Sequence, residues 1–580
     1  MNAPLPLSAV PPTWTTGTTE VFKTGTWRAA LPRHIQAPSP CHQACPVGGE
    51  IAEWIGHARA GDWRRAFEAL VRHNPFPAVA GRICHHPCES ACNRSAHDEA
   101  VSICRLERFA GDRALAEDWA LPAAAPMAAQ PGRLEHVAVV GAGPAGLSAA
   151  YQMRRRGWRV TVYEAAGEPG GLLRHGIPPY RLPRDVLDAE IARIVALGVE
   201  LRCGEALASE SQWATLRARH DAVFVATGAA HARRLPGLDY DGTRVLDGAA
   251  WLRAANAGVP PRLGERVMVI GGGSAAWDTA RSARRLGHEV TVLALEARRQ
   301  LPAQREEVDE ALEEGIRLVD GALLVHAVAG GAGLRLQCRR VRFVPGAARG
   351  AFTLEALPDS DFELDADALL ASIGADPDLA AFGDTLARAG PLIAIDANGA
   401  AGMPGIPGTS GMSATNGTPG VWAGGDVASL ARYFTEAVGM GQRAALAMHA
   451  VLVGRLPDAP TTSAAAAPAS EPAVGAGAIA TWYHAATPRA AAPRLAPAQR
   501  LGFDEVQLGL DAAAARAEAA RCFSCGTCIA CDNCITVCPD LAVRHAAAGG
   551  YEVLGDYCKG CGLCVRECPT GSMTMREECR

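Results

Sequence analysis

The chain is short of aromatic residues, which make up 5% of its 580 positions. It also lacks a charge excess. With 56 basic and 61 acidic residues and a net charge of -5, nothing in it calls for a nucleic acid or an anionic membrane. No apolar run approaches the ~20 residues that cross a bilayer, so no membrane span is expected. The opening MNAPLPLSAVPPTW has no basic region ahead of an apolar core. It reads as a disordered leader rather than a secretory signal, and a cytoplasmic location is expected. The long middle has almost no cysteine, only Cys203 and Cys338, although the chain has 19. Six lie between Cys41 and Cys104 and ten between Cys522 and Cys568, while Cys579 reads as a bystander. A secreted disulfide protein would be smaller and more evenly loaded, so the clusters read as metal ligands.

The end of the chain carries the strongest motif. Cys528, Cys531, Cys534 and Cys538-Pro539 form one C-x2-C-x2-C-x3-C-P run, and Cys558, Cys561, Cys564 and Cys568-Pro569 form a second. Two such runs are the pattern of a ferredoxin with two 4Fe–4S clusters, in which the fourth cysteine of each run ligates the other cluster. The expected sets are Cys528, Cys531, Cys534 with Cys568, and Cys558, Cys561, Cys564 with Cys538. The implied chemistry is one-electron transfer.

In the middle, 137–141 (VAVVG) reads as a buried parallel strand. Gly141, Gly143 and Gly146 follow as G-x-G-x-x-G before an Ala-rich helix, and the next strand, 160–164, ends in Glu164. Strand, glycines, helix, strand and acid in that order are a dinucleotide fingerprint. The glycines let a pyrophosphate approach the helix N-terminus, and the acid accepts ribose hydroxyls. A second copy runs from strand 266–270 through Gly271, Gly272, Gly273 and Ala276 to strand 289–293. Strand 221–228 closes on Thr227 and Gly228, and 420–426 ends at Gly425 and Asp426 before a helix through 436–449. Two such folds point to two dinucleotides in contact, one held as cofactor and one visiting as substrate. Hydride exchange between them needs alignment rather than a protein acid or base, so no catalytic side chain is named. His175 and His288 read as structural or exposed.

These motifs resemble the two-dinucleotide-binding flavoproteins. The ATG at 226–228 is similar to their crossover motif, and Gly425-Asp426 to their C-terminal flavin motif. The resemblance implies FAD as cofactor and an NAD(P) domain inserted in the FAD domain. No C-x-x-C lies beside the flavin strands, so a disulfide-reductase mechanism is not expected. The stretch 170–186, and Leu301-Pro302-Ala303 with Glu306 and Glu314-Gly315, resemble the glutamate synthase small subunit group. That group usually carries an Arg pair suited to the 2′-phosphate of NADP where Leu295 and Glu296 stand here. A carboxylate at 296 suits a free ribose hydroxyl and repels a phosphate, so NAD is expected as the substrate, with Arg298 and Arg299 close by.

The front holds Cys41-x3-Cys45-Pro46 and Cys84-x3-Cys88-x3-Cys92. Between them Ile51, Trp54, Ile55, Ala58, Trp63, Ala66, Phe67 and Leu70 fall at helical spacing. A small helical iron–sulphur domain is expected, with a six-cysteine zinc domain as the alternative. SPCHQACPVGGEIAEWI and NPFPAVAGRICHHPCESACNR extend the resemblance, and are similar to the front domain of dihydropyrimidine dehydrogenase with its two 4Fe–4S clusters. The resemblance implies one cluster on Cys45, Cys84, Cys88 and a non-cysteine ligand, matched by Glu107. Cys104, one turn earlier, could serve instead. The other cluster would use Cys41 and Cys92 with a C-x2-C pair normally placed just before Cys41. The residues LPRHIQAPSP hold no such pair. Cys522 and Cys525, in EAARCFSCG, are surplus to the eight tail ligands and resemble the absent element. They are expected to return to Cys41 and Cys92, docking the tail on the front domain of the same or a neighbouring subunit.

The fold expected is therefore multidomain. A helical iron–sulphur domain (1–130) precedes two Rossmann-like three-layer nucleotide domains, FAD at 131–260 and 381–455 with NAD at 261–380 inserted. An Ala/Pro/Ser-rich linker and short helix (456–520) lead to an α+β two-cluster ferredoxin domain (521–580). Residues 480–500 are expected to follow a surface. The parts make an electron-transfer subunit with FAD and four 4Fe–4S clusters, and its wiring implies partner subunits. The layout resembles NADH-linked subunits of 2-oxoacid (phenylglyoxylate or 2-oxoglutarate) dehydrogenase complexes. That resemblance implies a thiamine-diphosphate 2-oxoacid oxidoreductase as partner and NAD as the acceptor. A glutamate synthase small subunit, or an NAD(P)H:ferredoxin oxidoreductase, is the alternative.

Overall fold

The computed structural model describes residues 23, 25, 28–123, 136–330, 333–347, 350–402, 420–454, 472–547 and 549–578. The leader 1–14, most of the 456–475 linker and Cys579 lie outside the described residues.

Two parallel five-stranded sheets form the middle. The first has the order Gly420–Ala423, Ala222–Val225, His136–Val140, Arg159–Glu164, Glu200–Cys203. Its central strands are buried almost throughout, as expected where both faces of a sheet are covered. Helix Pro144–Arg154 lies on one face against the twenty-residue helix Phe434–Val453, and the Ser148 hydroxyl donates to the Val438 carbonyl at 2.8 Å. The strand Gly420–Ala423 returns to this sheet only after the second sheet is complete. The second nucleotide unit is therefore inserted in the first.

The second sheet has the order Arg317–Val319, Glu289–Leu293, Arg266–Ile270, Ala368–Ala371, Val245–Asp247. One face carries helix Ser274–Arg285. The other is covered by three antiparallel strands, Ala322–Gly330, Gly333–Pro345 and Phe352–Ala366, whose Leu334, Leu336 and Cys338 point into the core.

The front domain is helical: Ile51–Arg59, Trp63–Val71, Pro77–Ile83 and Ile103–Ala116. Asp62 caps the second of these by accepting from the Arg65 N–H at 3.0 Å. Trp54, Phe67 and Leu106 share one continuous core with Leu147 and Met448 of the flavin fold and with Ala515 and Ala519 of the tail helix Ala512–Ala520. A carboxylate joins the same parts. Glu190, on helix Arg184–Ala196, accepts from the N–H groups of Ala78 and Val79 at 2.9 and 3.0 Å, at the start of Pro77–Ile83. The helical front, the two nucleotide folds and the small α+β tail are the fold class expected.

The tail holds a hairpin, Val543–His545 with Tyr551–Val553, and two one-turn helices, Asn533–Thr536 and Leu563–Arg566. Its last strand, Met573–Glu577, pairs antiparallel with Ala30–His34 from the front. This pairing has no signal in the segment ALPRH, which is short and contains Pro32; a proline is tolerated in such a two-stranded edge.

From 476 to 510 the chain runs mostly without regular structure over the front domain and the second nucleotide unit. The Val506 N–H donates to the Tyr180 carbonyl at 3.0 Å, Arg500 pairs with Glu313 at 3.0 Å, and Glu505 accepts from Arg82 at 2.7 Å. Beneath it Arg181 meets Asp278 at 2.6 Å and also pairs with Glu307; both carboxylates are buried. Among the described residues no helix is long and apolar enough to cross a membrane.

Replacing Arg181 with Ala strands two buried carboxylates. Arg181→Ala is expected to cost about 3–5 kcal/mol in denaturant unfolding of the nucleotide region. The neutral combination Arg181→Leu with Asp278→Asn and Glu307→Gln is expected to recover part of it.

Candidate functional site

The first glycine loop is shaped by close backbone approach. Gly141 has φ +108, and a Cβ there would lie 2.3 Å from the Ala226 carbonyl of the crossover segment. A Cβ on Gly146 would lie 1.9 Å from the Gly141 carbonyl, so this glycine sets how closely helix and strand pack. Gly143, at the N-terminus of Pro144–Arg154, differs: a Cβ there would meet nothing within 4 Å. Gly143, Pro144 and Ala145 of this helix start line a cavity, which fits a pyrophosphate at the helix N-terminus. Glu164 holds the loop by accepting from the N–H groups of Ala142 and Ala166 at 2.7 and 2.8 Å.

One cavity of about 490 Å³ is lined by Gly141, Gly143, Glu164, Thr227, Gly228, Gly425 and Asp426. Residues from both halves of the flavin fold therefore meet there, while Gly146 stands behind the loop. Burial pushes the Asp426 carboxyl above its usual range, opposed by Arg432. A cavity that brings a helix N-terminus together with the carboxyls of Glu164 and Asp426 fits FAD. Bound FAD would supply the conversion between hydride and single electrons.

The second loop repeats the geometry. A Cβ on Gly271 would lie 2.3 Å from the Ser372 carbonyl, and Ala276 is fully buried, close enough to pack against it. Glu296 closes over this loop, since a Cβ on Gly272 would come within 2.6 Å of its carboxylate. Burial raises the Glu296 carboxyl. Beside it an open cleft of about 620 Å³ is lined by Arg298, Arg299 and Arg305, with Arg298 held by Asp309 at 2.8 Å. A further cavity of about 760 Å³ lies at the sheet edge around Thr291, Arg317 and Glu363 and is lined by neither the loop glycines nor Glu296.

The cysteines fall into four groups. Cys45, Cys84 and Cys88 lie near one another and near Glu107, whose charge acts on all three thiols. Burial pushes Glu107 up to about 7 although it accepts from Asn74 at 2.7 Å. Cys104 is also buried, but its thiol is within 3.3 Å of the Gly81 carbonyl and donates there. Cys41, Cys92, Cys522 and Cys525 line a second, small cavity. In the tail, Cys528, Cys531, Cys534 and Cys568 interact as one set and Cys558, Cys561, Cys564 and Cys538 as the other, so the fourth cysteines cross over. Among the described residues no three His, Cys, Asp or Glu side chains converge as a site for one metal ion. A four-iron cube is held at its outer corners, so its ligands need not meet at one point. Burial pushes Cys84, Cys525, Cys534 and Cys564 up to about 12, so iron must displace protons when it binds. Backbone N–H groups of His86, Ala542 and Gly560 lie 3.2–3.4 Å from the sulphurs of Cys84, Cys538 and Cys558. Such bonds favour thiolates and tune a cluster's potential.

Two contacts absent from the sequence reading tie these sites together. The Thr435 hydroxyl lies 3.6 Å from the Cys84 sulphur, and Ala437, two residues on, lines the flavin cavity. The Gln304 side chain, just after Leu301-Pro302-Ala303, donates to the Cys84 carbonyl at 3.1 Å. Neither residue belongs to a motif, and only the packing marks them.

Comparison with known proteins adds the lineage. The family model described as pyridine nucleotide-disulphide oxidoreductase matches residues 135–452, more than half of the chain. The chain belongs to the pyridine nucleotide-disulphide oxidoreductase family. This family member also matches, at 32–119, the model for dihydropyrimidine dehydrogenase domain II with its 4Fe–4S cluster, and at 551–574 the 4Fe–4S binding domain. It is 36% identical to the NADPH-Fe(3+) oxidoreductase subunit beta of Geobacter sulfurreducens over 60% of this chain and 52% of that protein, and so spans about half the relative's length. It is 34% identical to the NADP(+)-dependent formate dehydrogenase subunit beta of Moorella thermoacetica over 84% of this chain and 70% of that one. It is 34% identical to the glutamate synthase [NADPH] small chain of Mycobacterium tuberculosis, over 58% and 72%. The chain thus carries the nucleotide folds of that family with 4Fe–4S domain matches on both sides of them.

A side chain at 146 would push the glycine loop from its strand. Gly146→Val is expected to yield protein without bound flavin, read from the absorbance near 450 nm after purification.

Proposed function

We propose that the chain is an electron-transfer subunit that exchanges a hydride between NAD(H) and FAD and single electrons with 4Fe–4S clusters. In this reading it reduces NAD in the cytoplasm with electrons from a partner thiamine-diphosphate 2-oxoacid:CoA oxidoreductase. The observation that carries the exchange is the contact of Thr435 with Cys84, on the helix whose Ala437 borders the flavin cavity. It brings a cluster-ligand candidate and the flavin candidate site to one helix end.

In this reading Gly141, Gly143, Glu164, Thr227, Gly228, Gly425 and Asp426 bind FAD, with Gly146 setting the helix. Gly271, Gly273, Ala276 and Glu296 bind NAD. Cys45, Cys84, Cys88 and Glu107 hold the flavin-side cluster; the Cys104 thiol is already engaged by a carbonyl. The eight tail cysteines hold two more. The protein's own work is positional: the loops align the two nucleotides, and the buried helical front keeps water from the flavin-side thiols. The only cysteines among 135–452 are Cys203 and Cys338, so the family's disulfide route has no adjacent pair to use.

The partner is inferred from the layout of modules. The relatives' names describe subunits or chains of larger redox enzymes, which supports an assembly while naming different substrates. Those names also specify NADPH or NADP(+). The Arg299 and Arg305 side chains in the cleft favour that second reading, and the Glu296 carboxylate over the glycine loop favours NAD.

Anaerobic titration decides. NADH is expected to bleach the bound flavin, and more efficiently than NADPH. Glu296→Arg should shift the preference toward NADPH by about tenfold or more, equivalent to about 1.4 kcal/mol. Flavin that stays oxidised in excess NADH and NADPH would sink the reading. Co-purifying polypeptides, identified by mass spectrometry, test the 2-oxoacid partner.

A further inference from the structure

We propose that Cys41, Cys92, Cys522 and Cys525 hold one 4Fe–4S cluster whose ligands are divided between the two ends of the chain. The proposal deepens the electron-transfer reading above. None of the three matched families covers Cys522 or Cys525.

The four sulphurs share one cavity, walled by Ile51, Ile55 and Phe523. The charges of Cys522, Cys525 and Cys92 all act on the Cys41 thiol, and that of Cys92 acts on both tail thiols. All four are free cysteines. Three groups already point at their sulphurs: the Asn93 amide donates to Cys525 at 3.4 Å, the Ser524 N–H to Cys522 at 3.4 Å, and the Ser39 hydroxyl lies 3.1 Å from Cys41. Four thiols in an apolar pocket with hydrogen-bond donors at three of them are the environment of a cysteine-ligated cluster.

The scaffold around the pocket joins the same two chain ends. Arg94 donates to the Arg521 carbonyl at 2.8 Å, directly before Cys522, and lies over the Phe523 ring at 4.8 Å. Arg521 pairs with Asp98 at 3.0 Å. The Ala37 N–H donates to the Gly526 carbonyl at 3.2 Å, and Gly526, at φ +73, passes so close that a Cβ would lie 2.1 Å from the Ala37 carbonyl.

The place of the pocket follows from spacing. Cys41 lies in the helix Pro40–Ala44 with Cys45 at its C-cap, and Cys88 lies in Pro87–Ser90 with Cys92 just past its end, so each pair is about one turn apart. Each pair gives one thiol to this pocket and one to the flavin-side group. On the other side, the Gly526 N–H donates to the Thr570 carbonyl at 2.7 Å, and the Thr570 hydroxyl lies 3.7 Å from the Cys568 sulphur of the tail. The pocket lies between the tail sites and the flavin-side site.

The test is iron and acid-labile sulphide content of anaerobically purified full-length protein. Cys41→Ala, Cys92→Ala, Cys522→Ala and Cys525→Ala should each lose one cluster's iron, about a quarter of the total if four clusters are present. Cys41→Ser with Cys522→Ser should lose no more than either single change. Wild-type iron in the Cys522→Ala and Cys525→Ala variants, or additive loss in the double variant, would overturn the proposal. Should the variants fail to accumulate, the unmodified chain still decides. After iron removal by a chelator and oxidation with diamide, peptide mapping should find disulfides joining Cys41 or Cys92 to Cys522 or Cys525. Links confined to each chain end would overturn it. NADH bleaching of the unmodified chain tests the flavin reading separately, so the two can fail independently.

Discussion

Arg94 and Arg521 share the carboxylate of Asp98, and both guanidinium groups are almost wholly buried. One comes from the front domain and the other from the residue before Cys522. Burying two cations around one anion is costly unless every donor finds an acceptor. Here the remaining donors reach the carbonyls of Arg521, Ala485, Thr487 and Glu99, and the Glu518 carboxylate. The arrangement is satisfied only when the front domain, the 476–510 segment and the tail are all in place. The meeting of the two cysteine-rich ends depends on it.

The same device recurs wherever modules meet. Arg181 with Asp278 and Glu307, Arg500 with Glu313 and Glu314, and Arg82 with Glu505 all join units. Guanidinium suits this role because its planar fork satisfies two carboxylates, or a carboxylate and a carbonyl, at once. With so few aromatics to supply large apolar anchors, directional ion pairs fix the relative positions of the modules. The apolar core does the bulk stabilisation and runs without a break from the helical front into the flavin fold.

This fixed geometry bears on electron transfer. A hydride donor and one-electron carriers are useful to one another only at short range. The helix Phe434–Val453 touches the cavity of the first nucleotide fold and Cys84 within its first turn, and Gln304 ties the second nucleotide unit to the same cysteine's backbone. The strap at 476–510 then holds that unit against the front domain.

Local patterns carried much of the architecture. The glycine loops with their acids, the crossover Thr227-Gly228, the Gly425-Asp426 turn and the tail's cysteine runs are motifs because each needs particular residues at fixed spacing along one segment. They specified two nucleotide folds, one inserted in the other, and a tail with two sets of four cysteines. The helical front was legible for the same reason, from apolar residues at a 3.6 period. Tertiary structure alone decided what depends on residues distant in the chain. The pairing of Ala30–His34 with Met573–Glu577 has no local signal, because an edge strand is chosen by its partner and not by its own pattern. Thr435, Gln304 and Asn93 became site residues only through packing. The grouping of Cys41 and Cys92 with Cys522 and Cys525 was suggested by two surplus cysteines that resemble an absent C-x2-C element. Their approach rests on buried ion pairs between opposite ends of the chain, and such long-range contacts leave no periodicity to read.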